Sequence, residues 1–427
     1  MGGPERRGPG RREDARNLTL VVGAALLGVM ITGALAGRFG PRRRDAARIE
    51  VIRVAPERPS RVVMPLHGPD RWAGGDGSGL IWGRVLTRDG ARHTGFIRWD
   101  RNEGSWADVL DATKGGRKSG LQFGNIRRIE PLGRRSARVT LRSGEVVELG
   151  ADLTDLGPGL RGMVVTDPAG RTVQMGWSDL RRVDFGPAPR GARAPAQRLF
   201  GTLATRSGLS FTGFVTWDID EIYTSDILDG EERGRARKIP FGAVQAIEKR
   251  DSRSAWVTLQ GGERLLLRGG EDVSRSNDGI TVSDPTLGEV KLSWSEFASV
   301  RFRRPPSGPA YGFRGGEHIR GTVVTTTGRA LTGTVVWDRD EASRWEMLDG
   351  RSEGVEFQIA FAQIARITKH RDGRGATVQV WDGRTFDLEG SNDVDDGNQG
   401  ILVATDGPVE RVPWREFSEL RIRGSGG

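Results

Sequence analysis

The chain has no cysteine, and of its 427 residues only 4 are histidine and 2 are tyrosine. The missing thiols exclude disulfides, thiolate metal centres, iron–sulfur clusters, a cysteine nucleophile and an acylated lipoprotein cysteine. His67, His93, His318 and His370 share no common spacing and form no HxxxH or HExxH pattern, which removes the donors for a zinc site or a histidine-based triad. The 63 glycines include no GxxxxGK(S/T) run and no strand-linked GxGxxG, so a nucleotide cradle is also missing. No segment after residue 50 carries a sustained helical stripe.

What is present begins with arginine. Lys and Arg number 65 against 56 Asp and Glu, a formal net charge of +9. Residues 1–70 hold 13 arginines and 7 acidic residues, so most of the excess lies there and the body of the chain is nearly balanced. That distribution disfavours nucleic acid as a partner, because no basic stripe is left for a folded domain. Between Leu18 and Ala36 run 19 residues without a charge. As a helix they would extend about 28 Å, close to the thickness of a bilayer core. Arg11, Arg12 and Arg16 flank the segment on one side and Arg38, Arg42, Arg43 and Arg44 on the other. We read a retained single-span anchor, with the membrane as a partner and the body most simply extracytoplasmic, in a periplasm or cell envelope. The alternative is a signal sequence cleaved after Ala36, within Ala34-Leu35-Ala36, and a secreted body.

The body repeats three times. Trp99-Asp100, Trp217-Asp218 and Trp337-Asp338 lie 118 and 120 residues apart, and Trp177, Trp294 and Trp414 lie 117 and 120 apart. The resulting division is a basic tail (1–17), the hydrophobic segment (18–36), a juxtamembrane linker (37–78), three repeats of about 105 residues (79–185, 199–302, 319–422), exposed linkers (186–198, 303–318) and a tail (423–427). Each repeat has two halves of related plan, in which alternating apolar residues flank glycine turns. Phe123, Ile126 and Ile129, with Phe241, Val244, Ile247 and Phe361, Ile364, Ile367, keep i, i+3, i+6 spacing, which predicts one short helical or 3₁₀ turn leading into a strand. The fold class expected is all-β: one N-terminal hydrophobic helix, then three tandem repeats, each one or two small SH3-like or Sm-like barrels. A six-bladed β-propeller is the alternative. The repeated tryptophans are expected in the core.

Carboxylates cluster after each first-half tryptophan. Asp218, Asp220 and Glu221 recur as Asp338, Asp340 and Glu341, and as Asp100, Asn102 and Glu103 in the first copy. Oxygen-rich loops suit calcium, which takes six to eight such ligands, but Asp and Asn also serve turn geometry, and the turn reading is preferred. The second halves carry Asx-rich loops at Asp272 and Asp393, with Asp152-Leu153 read as their first-copy equivalent. No cofactor is expected. With no catalytic constellation in view, the sequence favours a non-enzymatic, membrane-tethered β-repeat protein. It would act as an interaction scaffold or as an accessory subunit of a membrane or cell-envelope complex, with protein partners. An exported polymer- or carbohydrate-binding module is the alternative. An Sm-like nucleic-acid binder and an atypical hydrolase rank below both.

Overall fold

The computed structural model describes residues 79–424 apart from 152, 154, 195 and 306–315. The hydrophobic segment 18–36, its flanking arginines and the juxtamembrane linker therefore lie outside the described residues. Among the described residues no helix is long and apolar enough to cross a membrane.

The body is all-β and antiparallel. In the first repeat the strands are β1 (Trp82–Thr87), β2 (Arg92–Arg98), β3 (Val109–Lys114), β4 (Arg117–Gln122), β5 (Ile126–Pro131), β6 (Ser136–Leu141), β7 (Val146–Gly150), β8 (Met163–Thr166), β9 (Thr172–Met175) and β10 (Leu180–Phe185). They form one ten-stranded sheet in the order β4-β3-β7-β6-β5-β10-β1-β2-β8-β9. The order is a palindrome. If the five strands of the first half are matched one by one with the five of the second, exchanging the halves gives the same order read backwards. The β3–β4 hairpin of the first half extends β7 of the second, and the β8–β9 hairpin of the second half extends β2 of the first. β5 and β10, the last strand of each half, meet at the centre. The other two repeats pair their strands in the same way. Strand pairing thus crosses between halves, and neither half closes on its own pairings.

Local sequence explains the elements. Each half ends in a sharp turn of chain before its last strand. The 3₁₀ turns Phe123–Asn125, Phe241–Ala243, Trp177–Asp179 and Trp414–Glu416 have this position. The aromatic that opens each turn and the alternate apolar residues of the strand that follows face one core. Trp99, Trp217 and Trp337 are fully buried, and Trp177, Trp294 and Trp414 nearly so. Burial of an indole N–H demands an acceptor. Trp177 Nε1 donates to the Gly133 carbonyl at 3.0 Å, Trp294 to Asp251 at 3.1 Å and Trp414 to Gly373 at 3.0 Å.

One close approach recurs in all three copies. Where β2 crosses onto β8, a Cβ on Gly95 would lie 2.1 Å from the Thr166 carbonyl oxygen. The same atom on Gly213 would lie 2.3 Å from that of Ser283, and on Gly333 2.1 Å from that of Ala404. Only glycine lets the exchanged strand dock here. Gly213→Ala is expected to destabilise the body by about 1–3 kcal/mol. Gly261→Ala, where a Cβ meets nothing within 4 Å, should stay within about 0.5 kcal/mol. Denaturant melts of the two variants test the contrast.

Candidate functional site

The tryptophan–aspartate turn is the unit from which the candidate site is built. Asp100 and Arg101, Asp218 and Ile219, and Asp338 and Arg339 all have positive φ. Aspartate tolerates this region better than most residues because its short side chain can bond locally. The first aspartate then ties the turn to the loop before the β8-type strand. Its carboxylate accepts the N–H of Arg161, Asp278 or Gln399 in the three copies. The turn's tryptophan donates Nε1 to the carbonyl of Asp155 (2.8 Å), Asp272 (3.0 Å) or Asp393 (3.0 Å). Those aspartates in turn accept the backbone N–H of Asp111, Asp229 and Asp349. In the first copy the role falls to Asp155, followed by buried Leu156, and not to the Asp152-Leu153 pair read from the sequence. Asp152 is outside the described residues. The stretch ADLTDL contains two Asp-Leu pairs, and spacing alone did not separate them.

The glutamates that end these turns are the least compensated groups of the body. Glu103, Glu221 and Glu341 each bury an Oε2 with no hydrogen-bond partner. Burial is the largest cause holding their carboxyls high, and the neighbouring Asp155, Asp272 and Asp393 add to it. Glu221 is pushed up to about 10 and Glu341 to about 11, while Glu103 stands well above the ordinary range.

The copies differ in which cation meets the acids. In the first, Arg161 pairs with Asp100 at 3.0 Å. In the third, Arg117 of the first repeat reaches Asp338 at 2.8 Å and Asp340 at 2.9 Å. In the second, no arginine or lysine pairs with Asp218, Glu221 or Asp272 among the described residues, and one ligand atom of each lies within 4.8 Å of the others. Burial raises Asp218 to about 6 and Asp272 to about 7, although each also accepts a backbone N–H. Of the six carboxylates singled out in the sequence, then, Asp218 and Glu221 come together, with Asp272 as third member. Asp338 and Asp340 take an arginine, and Glu341 stays beside Asp393. Asp220 instead offers its carbonyl to Arg98.

A second acidic position clamps the repeats to one another. Asp108 Oδ2 accepts the N–H groups of Gly104 and Ser105, both at 2.7 Å. Asp226 and Glu346 hold the same loop in the other copies. Each then takes a cation from another repeat. Arg198, 1% exposed, pairs with Asp108 at 3.2 Å, and Ser283 donates to the same carboxylate at 2.8 Å. Arg98 pairs with Asp226 at 3.4 Å and lies over the Tyr223 ring. Lys114 pairs with Glu346 and lies over the Trp345 ring. Between the second and third repeats the contact is a strand ladder, Gly288–Leu292 against Val355–Ala360, with an Arg384–Asp284 pair at 2.9 Å. The sequence placed Arg198 in an exposed linker; its guanidinium is instead spent on Asp108, Thr216 and two carbonyls.

Where the three repeats meet lies a polar pocket of about 280 Å³ that is partly open to solvent. Glu103, Asp111 and Lys118 come from the first repeat, Glu289 and Lys291 from the second, Asp349, Glu356 and Gln358 from the third. Burial raises Glu289 to about 8, with Asp111 and Asp108 adding to it. Burial also raises Asp349, to about 6, against the pull of Lys118. Desolvation would lower Lys118, but the nearby Asp349, Asp111, Glu289 and Glu356 outweigh it and raise the ammonium above its ordinary value.

Two outcomes are expected. Arg198→Met strands a buried carboxylate and should cost about 3–5 kcal/mol; Asp108→Leu should also be costly, because it leaves the Gly104 and Ser105 N–H groups without their acceptor, and the double variant should cost less than the sum of the two. A double-mutant cycle by chemical denaturation measures it. The Asp218–Glu221–Asp272 cluster binds protons more tightly folded than unfolded. Its contribution to stability is therefore complete below about pH 4 and is lost as pH rises through the folded values. Asp272→Asn should gain stability relative to the parent between pH 5 and pH 8, by roughly 1–2 kcal/mol. Melts across that range check the sign.

Compared with known proteins, the chain matches no family model, no curated protein and no solved structure.

Proposed function

We propose that this is a non-enzymatic, membrane-tethered scaffold or accessory subunit of a membrane or cell-envelope complex, its three repeats held outside the cytoplasm on the 18–36 segment. The observation that carries the reading is where the repeated polar motif goes. The first aspartate after each tryptophan ties its turn to a neighbouring loop, and the acids that follow, Asp108, Asp226 and Glu346, hold a second loop and take a cation from beyond their own repeat. Such a motif serves assembly of a rigid body, and a rigid body of three similar units on one tether offers several related surfaces to partners. Each repeat is read as two SH3-like units that have exchanged hairpins, a design whose loops are free for recognition.

The test is affinity purification of the tagged full chain from detergent-solubilised membranes. One defined assembly at constant stoichiometry is expected, and deletion of residues 1–36 should release the chain to the soluble fraction. A partner-free monomer in the membrane extract counts against the reading.

A second reading, a structural calcium ion, is favoured only at Asp218, Glu221 and Asp272, where three ligand atoms converge without a resident cation. In the third copy Arg117 already occupies Asp338 and Asp340. Calcium should then raise the thermal midpoint of the parent and not that of Asp218→Asn.

A further inference from the structure

The face that opens the third repeat is built from different residues than the matching face of the other two. Arg320, Arg344 and Arg423 stand where the second repeat has Phe200, Thr224 and Arg303 and the first has Trp82, Trp106 and Gly186; backbone hydrogen bonds common to the three copies fix the match. In the first two copies this face is used inside the body. Trp82 and Trp106 belong to the apolar core of the first repeat. Phe200 packs with Ala107 across the junction of the first and second repeats, two residues from Arg198, which takes the Asp108 carboxylate. In the third copy His318, Arg320, Arg344 and Arg423 line a partly open pocket of about 490 Å³, with Glu317 as its single acid.

The charge of this face is unmatched. Arg344 is 5% exposed, yet its guanidinium meets only two carbonyls, those of Arg423 at 3.1 Å and Ala362 at 3.2 Å. Among the described residues, none of Arg320, Arg344 and Arg423 pairs with a carboxylate. Burial pushes Arg344 below its ordinary value, against the weaker pull of Glu317. A buried cation without a counter-charge is costly, and an anion seated in the pocket lowers that cost through space, without touching the buried group. We propose that this pocket docks an acidic segment of a partner protein, whose aspartate or glutamate serves this face as Asp108 serves the matching face of the second repeat. The precedent favours a carboxylate over other anions: the one copy of this face that meets a charge from another repeat meets a carboxylate. The inference rests on the scaffold reading for the partner being a protein, and it adds the chemistry of that partner. It is tested without the partner itself, so the two readings fail separately.

Fluorescence anisotropy of a labelled hexa-aspartate peptide, titrated with the detergent-solubilised full chain, tests it. The arginines of residues 1–70 are common to every variant, so the difference between variants is the readout. Affinity is expected to fall about tenfold in the Arg320→Ser, Arg423→Ser double variant and in Arg344→Met. It should stay unchanged in the Arg206→Ser, Arg275→Ser double variant, which removes two cations from a separate basic pocket on the second repeat. Arg320 and Arg423 are exposed, so their replacement leaves the fold intact, melting curves check it, and that variant alone suffices if Arg344→Met fails to fold. Unchanged affinity in the folded Arg320→Ser, Arg423→Ser variant, an equal loss in both double variants, or displacement of the peptide by inorganic phosphate at matched ionic strength, which assigns the pocket to a free oxyanion, overturns the proposal.

Discussion

The cost of taking carboxylates out of water is the constraint on which the rest of this body depends. Each tryptophan–aspartate turn places an aspartate and a glutamate against the core, and each repeat adds the further acid that holds the next loop. A desolvated carboxyl persists only with hydrogen bonds, a cation or a proton. All three solutions occur. Backbone N–H groups serve Asp108, Asp226 and Glu346; arginines serve Asp100 and Asp338; protons remain on Glu221 and Glu341, whose carboxyls are raised far above neutrality. Cations from a neighbour join the repeats, together with the strand ladder and the apolar core that the second and third repeats share and the Ile222, Tyr223 and Trp345 side chains that enter the core of the first.

Hairpin exchange sets a second condition. Because β3–β4 completes the sheet of the other half, through the Thr113–Gly150 pairing, half a repeat leaves its hairpins without a sheet to join. The ten strands therefore form one cooperative unit, and the contacts that close it span most of the repeat. Non-local pairing of this kind makes folding slow for the chain's size. The recurring glycine at the β2–β8 crossing belongs to the same condition: it brings the exchanged hairpin to backbone contact distance.

Much of this was legible beforehand. The threefold recurrence, the all-β class, the buried tryptophans and the 3₁₀ turn at Phe123 and Phe241 all follow from period and spacing, whereas Phe361 opens a turn that is not 3₁₀. The hairpin exchange does not. Two halves of similar pattern present similar edges, so alternation fixes which face of a strand is buried and not which half it pairs with. Asp155 was missed through a local ambiguity of register. Arg98, Lys114, Arg117 and Arg198 were missed because their partners lie in other repeats, at separations of 90 residues or more. Nothing local distinguishes an arginine that will be buried from one that will stay in water.

A signal for those residues nonetheless exists, in the places where the copies disagree. Leu80, Arg198 and His318 occupy one position, each bridged to the loop held by the second acid: Leu80 to Ser105, Arg198 to Tyr223 and His318 to Ser343. Only Arg198 faces a neighbour's carboxylate, Asp108, and only there is the residue an arginine. Similarly Arg117, Arg235 and Val355 open equivalent strands. Arg117 enters the third repeat's acidic turn, whereas Val355 is buried on the strand that pairs with the second repeat. A repeat that faced the same surroundings in every copy would have no physical reason to vary at such positions. In a body of unequal neighbours, the positions common to all copies describe the fold of one unit, and the departures describe what each unit touches.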